Sequence, residues 1–134
     1  QELAPQQTTP EVPKGTRALV IEDEPALGDA VAAALADEGF RPDRAEDGEV
    51  ALRKVRETHY DVIICDLKIP KVDGMMFFRE VSSKMPHIAR RQIFVPGAVA
   101  GPEAERFLEE SGCRWVPKPF RLRELVRLAR ETLR

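Results

Sequence analysis

The chain has 134 residues, of which 43% are hydrophobic and 33% are charged, and its net charge is −2 at pH 7. This composition is that of a soluble globular domain with one substantial core, and the charge gives no electrostatic argument for direct nucleic-acid binding. The apolar runs are too short to span a bilayer, no signal peptide is visible, and no Cys/His cluster has zinc spacing. We therefore expect a cytoplasmic location, with no membrane contact by this domain.

Residues 1–16 have the composition of a linker, with Pro5, Pro10 and Pro13 spaced among Gln, Thr and Glu. Such a segment is extended and weakly ordered, and a plain disordered terminus is the alternative. We predict a Pro/Gln-rich linker over residues 1–16 and a folded domain over residues 17–134, with further protein N-terminal to the linker.

Short apolar runs and amphipathic helical patterns alternate five times after the linker. The predicted strands cover residues 18–21, 40–45, 61–65, 92–95 and 113–116. The predicted helices cover residues 25–39, 48–57, 74–84, 102–111 and 122–133. This alternation predicts an α/β fold, a doubly wound (βα)5 parallel sheet of flavodoxin-like order 2-1-3-4-5 with helices on both faces. Pro42 indicates that the second strand lies at the sheet edge.

Several residues are interpreted as core. Cys65 and Cys113 fall in predicted buried strands and are expected to be reduced core thiols. The third helix carries Met and Phe side chains that we assign to the core rather than to a cofactor site, namely Met75, Met76, Phe77 and Phe78.

The carboxyl ends of the predicted strands carry the residues that point to function. Asp66 follows a buried run, and open α/β sheets bind ligands at such ends; from this run alone, an Asp that only turns the chain is an equal alternative. Glu22 and Asp23 follow the first strand, and three close carboxylates raise one another's pKa unless a hard cation such as Mg²⁺ joins them. Lys118 supplies a movable positive charge. Together these residues predict phosphoryl transfer onto a carboxylate.

Five motifs in this order and spacing resemble the receiver domain of two-component response regulators, the fold of the bacterial chemotaxis regulator. They are VIEDEP at 20–25, DGEVAL at 47–52, YDVIICDL at 60–67, PKVDG at 70–74 and KPF at 118–120. The resemblance covers residues 17–134.

The resemblance implies a role for each site residue. Asp66 would accept a phosphoryl group from a phosphohistidine, and Lys118 would pair with a phosphoryl oxygen. Asp23 would bind Mg²⁺ directly, Glu22 would act through a metal-bound water, and the backbone carbonyl of Lys68 would complete the metal shell. The Lys118–Pro119 bond is usually cis in this family, a conformation that is plausible only before proline.

Two positions depart from the family pattern. The residue that ends the fourth strand is normally Thr or Ser, and here it is Pro96, which has no hydroxyl. The aromatic switch on the fifth strand is normally Tyr or Phe, and here it is Trp115. We interpret Trp115 as a partly buried anchor rather than a working switch.

Two alternatives from other classes stay open. A magnesium phosphatase with an Asp nucleophile would carry a second Asp two residues after the first, where this chain has Lys68. A pseudo-receiver, a protein-interaction module with impaired switching, is suggested by Pro96. The receiver itself is expected to catalyse its own aspartyl phosphorylation and dephosphorylation.

The expected partner is a histidine kinase or a histidine phosphotransfer domain. A linker before the receiver, and no DNA-binding domain after it, resemble the C-terminal receiver of a hybrid sensor histidine kinase; a single-domain regulator is the alternative. The domain is expected to be a monomer or a weak dimer through the fourth predicted helix, fifth strand and last helix, because the first of these is acidic and the last is basic.

Overall fold

The computed structural model describes residues 12–68, 71–97 and 101–133. The strands are β1 (Arg17–Ile21), β2 (Arg41–Ala45), β3 (Val62–Asp66), β4 (Gln92–Val95) and β5 (Arg114–Trp115). The helices are α1 (Pro25–Asp37), α2 (Gly48–Glu57), α3 (Gly74–Lys84), α4 (Pro86–Ala89), α5 (Gly101–Ser111) and α6 (Leu122–Thr132).

All five strands form one parallel sheet in the order β2-β1-β3-β4-β5. The predicted α/β fold and strand order are therefore confirmed, including the edge position of β2 with its Pro42. The register pairs Ile21 with Cys65 and Asp66 with Val95. The ends of β1, β3 and β4 consequently lie side by side at one edge of the sheet.

The sheet separates two hydrophobic cores, because successive side chains on a strand point to opposite faces. Ile63 and Cys65 of β3 face the core covered by α2, α3, α4 and α5, whereas Val62 and Ile64 face the core covered by α1 and α6. All residues of β3 are buried, which explains why this strand reads as a continuous apolar run.

The fifth strand differs from its prediction. We expected a buried strand over residues 113–116, but β5 has two residues and both are exposed, with Cys113 and Val116 buried on either side. β5 is the last strand of the sheet, so no further strand packs beside it. Cys113 is a buried free thiol as predicted, although it precedes β5; Cys65 is also free and buried.

Two features of the helices were not foreseen. Phe77 is buried and Met75 and Phe78 pack against the core, but Met76 is 51% exposed, so its assignment to the core was wrong. Four consecutive residues cover more than one full turn of a helix, so they cannot all face one side. The short helix α4 begins at a proline and buries Ile88 and Ala89; its four residues are too few to show a periodic pattern.

The chain before β1 also contacts the domain. Val12 packs against the core under α1 and α6, and Thr16 is buried with its hydroxyl donating to the Pro13 carbonyl at 2.6 Å. Residues 1–11 of the predicted linker lie outside the described part. Within that part, no helix has the length and apolar character needed to cross a membrane.

Candidate phosphoacceptor and metal site

Three acidic side chains meet at the carboxyl edge of the sheet. Glu22 and Asp23 follow β1 directly, and Asp66 is the last residue of β3. A carboxylate oxygen from each of the three lies within 4.8 Å of the others. Glu22 and Asp66 are each only 5% exposed, whereas Asp23 is exposed. The structure therefore brings the predicted acidic residues together, with one open to solvent.

Asp66 is held on both of its oxygens. The backbone N–H of Lys68 donates to Oδ1 at 3.0 Å, and Lys118 Nζ donates to Oδ2 at 2.8 Å. Lys68 itself is exposed, and the residues after it, 69 and 70, lie outside the described part. A carboxylate at the end of a rigid, fully buried strand has little freedom to turn away from the cleft.

Glu22 is the most strongly perturbed of these acids. Burial first, and the negative charge of Asp66 second, raise its pKa to about 7. The Glu24 N–H donates to Oε2 at 3.2 Å, and Lys118 Nζ lies 3.3 Å from Oε1; both oppose this rise without cancelling it. Burial and the charge of Asp66 together thus outweigh the effect of Lys118 on the pKa of Glu22.

Lys118 bridges Glu22 and Asp66. Burial acts to lower its pKa, but the hydrogen bond and charge of Asp66, joined by Glu22, raise the pKa above its ordinary value. The ammonium group therefore stays charged at neutral pH. Its backbone N–H donates to the Pro96 carbonyl at 2.9 Å, and the Lys118–Pro119 bond is cis, as the resemblance implied.

The donor set fits a hard divalent cation. The three acids offer only oxygen ligands, which Mg²⁺ prefers, and the exposed Asp23 leaves room for the waters that Mg²⁺ keeps. The pKa of Glu22 is raised by burial and by the charge of Asp66, and a bound cation would offset the second of these causes. Asp23 and Lys68 also line a cavity of about 590 Å³ that continues past Pro96 and Gly97 to the start of α5, which is space for a phosphoryl group.

Of the two unusual positions, Pro96 borders the cavity beside this site and Trp115 lies on β5. Pro96 is buried at the end of β4 and lines the same cavity, where it presents no hydroxyl. Trp115 pairs with Phe94 across β4 and β5, and it is 49% exposed.

Sequence reasoning missed two contacts of the acidic residues. The first is the hydrogen bond from the Glu24 backbone N–H to the Glu22 carboxylate, a turn contact that the EDEP sequence does not predict. Arg44 of β2 reaches across to donate to the Glu22 carbonyl at 3.1 Å. Its only sequence signal is a basic residue in an edge strand, and the contact depends on the β1–β2 register.

A larger groove of about 980 Å³ lies elsewhere, between α1 and α6. Its lining includes Arg123, Arg127 and Arg130, the last of which pairs with Glu38. None of the three clustered acids lines this groove, whereas Asp23 lines the smaller cavity.

The open α/β sheet, with clustered acids and a lysine at its carboxyl edge, is typical of receiver domains. Comparisons with known proteins support this class. The sequence model of the response regulator receiver domain matches residues 18–130. The chain is 32% identical over 118 residues to the transcriptional regulatory protein TrcR of Mycobacterium tuberculosis (strain ATCC 25618 / H37Rv), covering 88% of this chain and 45% of TrcR.

Solved structures show the same fold. A CheY-like receiver domain protein from Methanospirillum hungatei JF-1 superposes with a TM-score of 0.82 at 24% identity, over 90% of this chain and 94% of that one. A receiver domain protein from Clostridium thermocellum gives a TM-score of 0.79 at 27% identity, over 88% and 94%.

The chain belongs to the response regulator receiver domain family, and it is a receiver domain of two-component signal transduction. It spans about half the length of the transcriptional regulatory proteins TrcR, TcrX and CutR that it matches. Receiver domains bind Mg²⁺ at an acidic site and interact with histidine kinases or phosphotransfer proteins. These comparisons do not favour the phosphatase or the pseudo-receiver.

Proposed function

We propose that Asp66 is the phosphoacceptor of this receiver domain and that it takes its phosphoryl group from a phosphohistidine. The observation that carries the proposal is the arrangement of Asp66: a nearly buried carboxylate, 2.8 Å from Lys118 and within 4.8 Å of two other acids. An Asp that only turned the chain would need neither the lysine nor the acidic neighbours.

The reaction is an in-line displacement. One oxygen of Asp66 attacks phosphorus, a P–O bond forms, and the P–N bond to the histidine breaks with its electron pair leaving on the imidazole. Lys118 leaves Oδ2 of Asp66 and follows the phosphoryl oxygens, which its flexible stem allows. Asp23, Asp66 and the Lys68 carbonyl would hold Mg²⁺, Glu22 would act through a water, and the ion would supply the remaining positive charge.

The test compares Asp66 with a second aspartate. Asp66→Asn should abolish uptake of a phosphoryl group from acetyl phosphate, measured by intact mass. Asp73 lines the cavity and caps α3 by accepting from the Met76 N–H at 2.9 Å. Asn is an equally good N-cap, so Asp73→Asn should keep the uptake. A phospho-adduct at wild-type level in Asp66→Asn would refute the assignment.

The context of the domain is also a proposal. We propose that residues 1–16 link the receiver, residues 17–134, to the kinase region of a cytoplasmic hybrid histidine kinase, and that the phosphodonor is its kinase or a phosphotransfer domain. The support is the linker composition and the sequence from α5 to β5. We expect the same reading frame to encode a kinase core upstream of Gln1. A start codon at or near Gln1 would instead support the alternative, a single-domain regulator. Sedimentation at increasing concentration tests a weak dimer through α5, β5 and α6.

A further inference from the structure

Arg44 is fixed between strand β2 and the start of α1. Its Nη2 donates to the Glu22 carbonyl at 3.1 Å, and its Nη1 donates to Asp29 Oδ1 at 2.6 Å. The Glu22 N–H donates to the Ala45 carbonyl at 3.0 Å. The turn that carries Glu22 and Asp23 is thus tied to β2 from both sides of Glu22. The rigid fork of an arginine suits a contact with two acceptors at once.

Gly28 makes room for this side chain. A Cβ at Gly28 would lie 2.3 Å from Cζ and from Nη2 of Arg44, so the guanidinium occupies the space of a side chain at position 28. Gly28 is buried within α1, where glycine is less favourable than alanine. Glycine at position 28 thus admits the guanidinium of Arg44, although alanine would stabilise α1 more.

From these contacts we infer that Arg44 is a positioning residue for the metal ligand Asp23, an inference that rests on the proposed function. The Glu22 carbonyl and the Asp23 N–H belong to one planar peptide group. Holding that carbonyl fixes the plane and hence the direction in which the Asp23 side chain leaves the backbone. Among the described residues, the Asp23 carboxylate has no hydrogen-bond partner of its own, so its backbone sets its position.

The sign of the effect separates positioning from simple charge. If Arg44 were only a nearby cation, its removal would lower the repulsion on Mg²⁺ and tighten binding. If Arg44 positions Asp23, its removal weakens binding. Loss of a group that orients a metal ligand typically costs ten- to a hundredfold in affinity, and we expect about tenfold for Arg44→Met.

The chain offers a matched control in Arg17. This arginine lies at the opposite end of the β1–β2 pair, donates to Asp43 at 3.3 Å, and is 33% exposed against 27% for Arg44. Arg17→Met removes the same kind of cross-strand contact far from the acidic residues. Arg17→Met should leave the Mg²⁺ affinity within about twofold of wild type, because the contact between Arg17 and Asp43 orients no metal ligand.

The experiment is titration of the full chain with Mg²⁺ by calorimetry. Arg44→Met should weaken binding, and Arg44→Lys should recover part of the loss because an ammonium can reach one acceptor but not both. Gly28→Ala should weaken binding while keeping Arg44, because the new Cβ displaces the guanidinium. The double variant should be no weaker than Arg44→Met alone. In the metal-free protein, the Asp23 amide shift should move in Arg44→Met and Gly28→Ala but not in Arg17→Met.

The outcomes distinguish this inference from the proposed function. Wild-type or tighter binding in both Arg44→Met and Gly28→Ala overturns the positioning role, and so does an equal loss in Arg17→Met. If wild type and Asp23→Asn bind Mg²⁺ equally, or wild type does not bind it, the proposed metal site fails and the inference fails with it.

Discussion

Glu22→Gln should stabilise the metal-free domain at neutral and alkaline pH. The pKa of Glu22 is about 7 in the folded protein, against an ordinary value of 4.5 in the unfolded chain. Between these values the folded state holds a proton that the unfolded state has lost, so the stability contributed by this group falls as the pH rises from 4.5 through 7. Glutamine has the shape of the protonated acid at every pH, and it avoids this loss.

The magnitude follows from the two pKa values. Their difference corresponds to about 3 kcal/mol at roughly 1.36 kcal/mol per pH unit. The cleft beside Glu22 is open to water at Asp23, and solvent screening reduces the electrostatic part. We therefore expect a gain of about 2 kcal/mol in the free energy of unfolding at pH 8, and well under 1 kcal/mol at pH 5.

Urea unfolding in EDTA at pH 5 and pH 8 measures both values, with the chelator keeping cations from neutralising the acids. Glu24→Gln is the control, because Glu24 is exposed and its side chain makes no capping hydrogen bond; it should stay within about 0.5 kcal/mol of wild type. An equal gain at both pH values, or no gain at pH 8, would refute the reasoning that burial and Asp66 hold the proton on Glu22.

Two further predictions concern the groups around the proposed phosphoryl position. Lys118→Met should slow phosphorylation of Asp66 by acetyl phosphate about a hundredfold, while calorimetry should show Mg²⁺ binding kept or tightened because a cation is lost; weaker Mg²⁺ binding would contradict the role. Pro96→Thr should enlarge the amide shifts over residues 101–118 on treatment with beryllofluoride. Amide shifts of equal size in wild type would contradict the hypothesis that Pro96 weakens the coupling between phosphorylation and conformational change.

The fold was predictable because its signals are local. Each buried strand is an apolar run closed by proline, glycine or acid, and Pro42 identified one edge of the sheet. The exposure of an individual side chain was not predictable, because it depends on whether distant parts of the chain pack against it. Met76 is apolar, yet it is 51% exposed because α3 turns only one stripe inward, whereas Trp115 is partly buried as expected. The hydrophobic periodicity of a segment predicts the face on which a side chain lies, but not which residues pack against that face.

The candidate site was predictable to the same extent. Glu22, Asp23, Asp66 and Lys118 were brought together by strand order alone, since parallel strands end at the same edge. Arg44 was not predictable, because its contact with Glu22 needs the β1–β2 register and the missing side chain of Gly28. Roles for the phosphoacceptor, the metal ligands and the switch positions stay predictions until the variants are measured.

We propose that Pro96 leaves the phosphoryl-transfer chemistry of this site intact but weakens its coupling to a conformational change. Every group that the proposed phosphoryl transfer uses is present without it: the nucleophile, the acids and the lysine. A hydroxyl at the end of β4 would bind the phosphoryl group in one state and not in the other, and only such differential contacts shift a conformational equilibrium. One charge-assisted hydrogen bond contributes about 1.5–3 kcal/mol, or roughly ten- to a hundredfold in the population ratio. Proline offers neither hydroxyl nor N–H, and Trp115 is already half exposed on β5. In the proposed reaction Lys118 exchanges Asp66 and Glu22 for the phosphoryl oxygens, and its backbone N–H donates to the Pro96 carbonyl. We therefore expect any conformational response to begin in the segment that carries Lys118 and leads to α6.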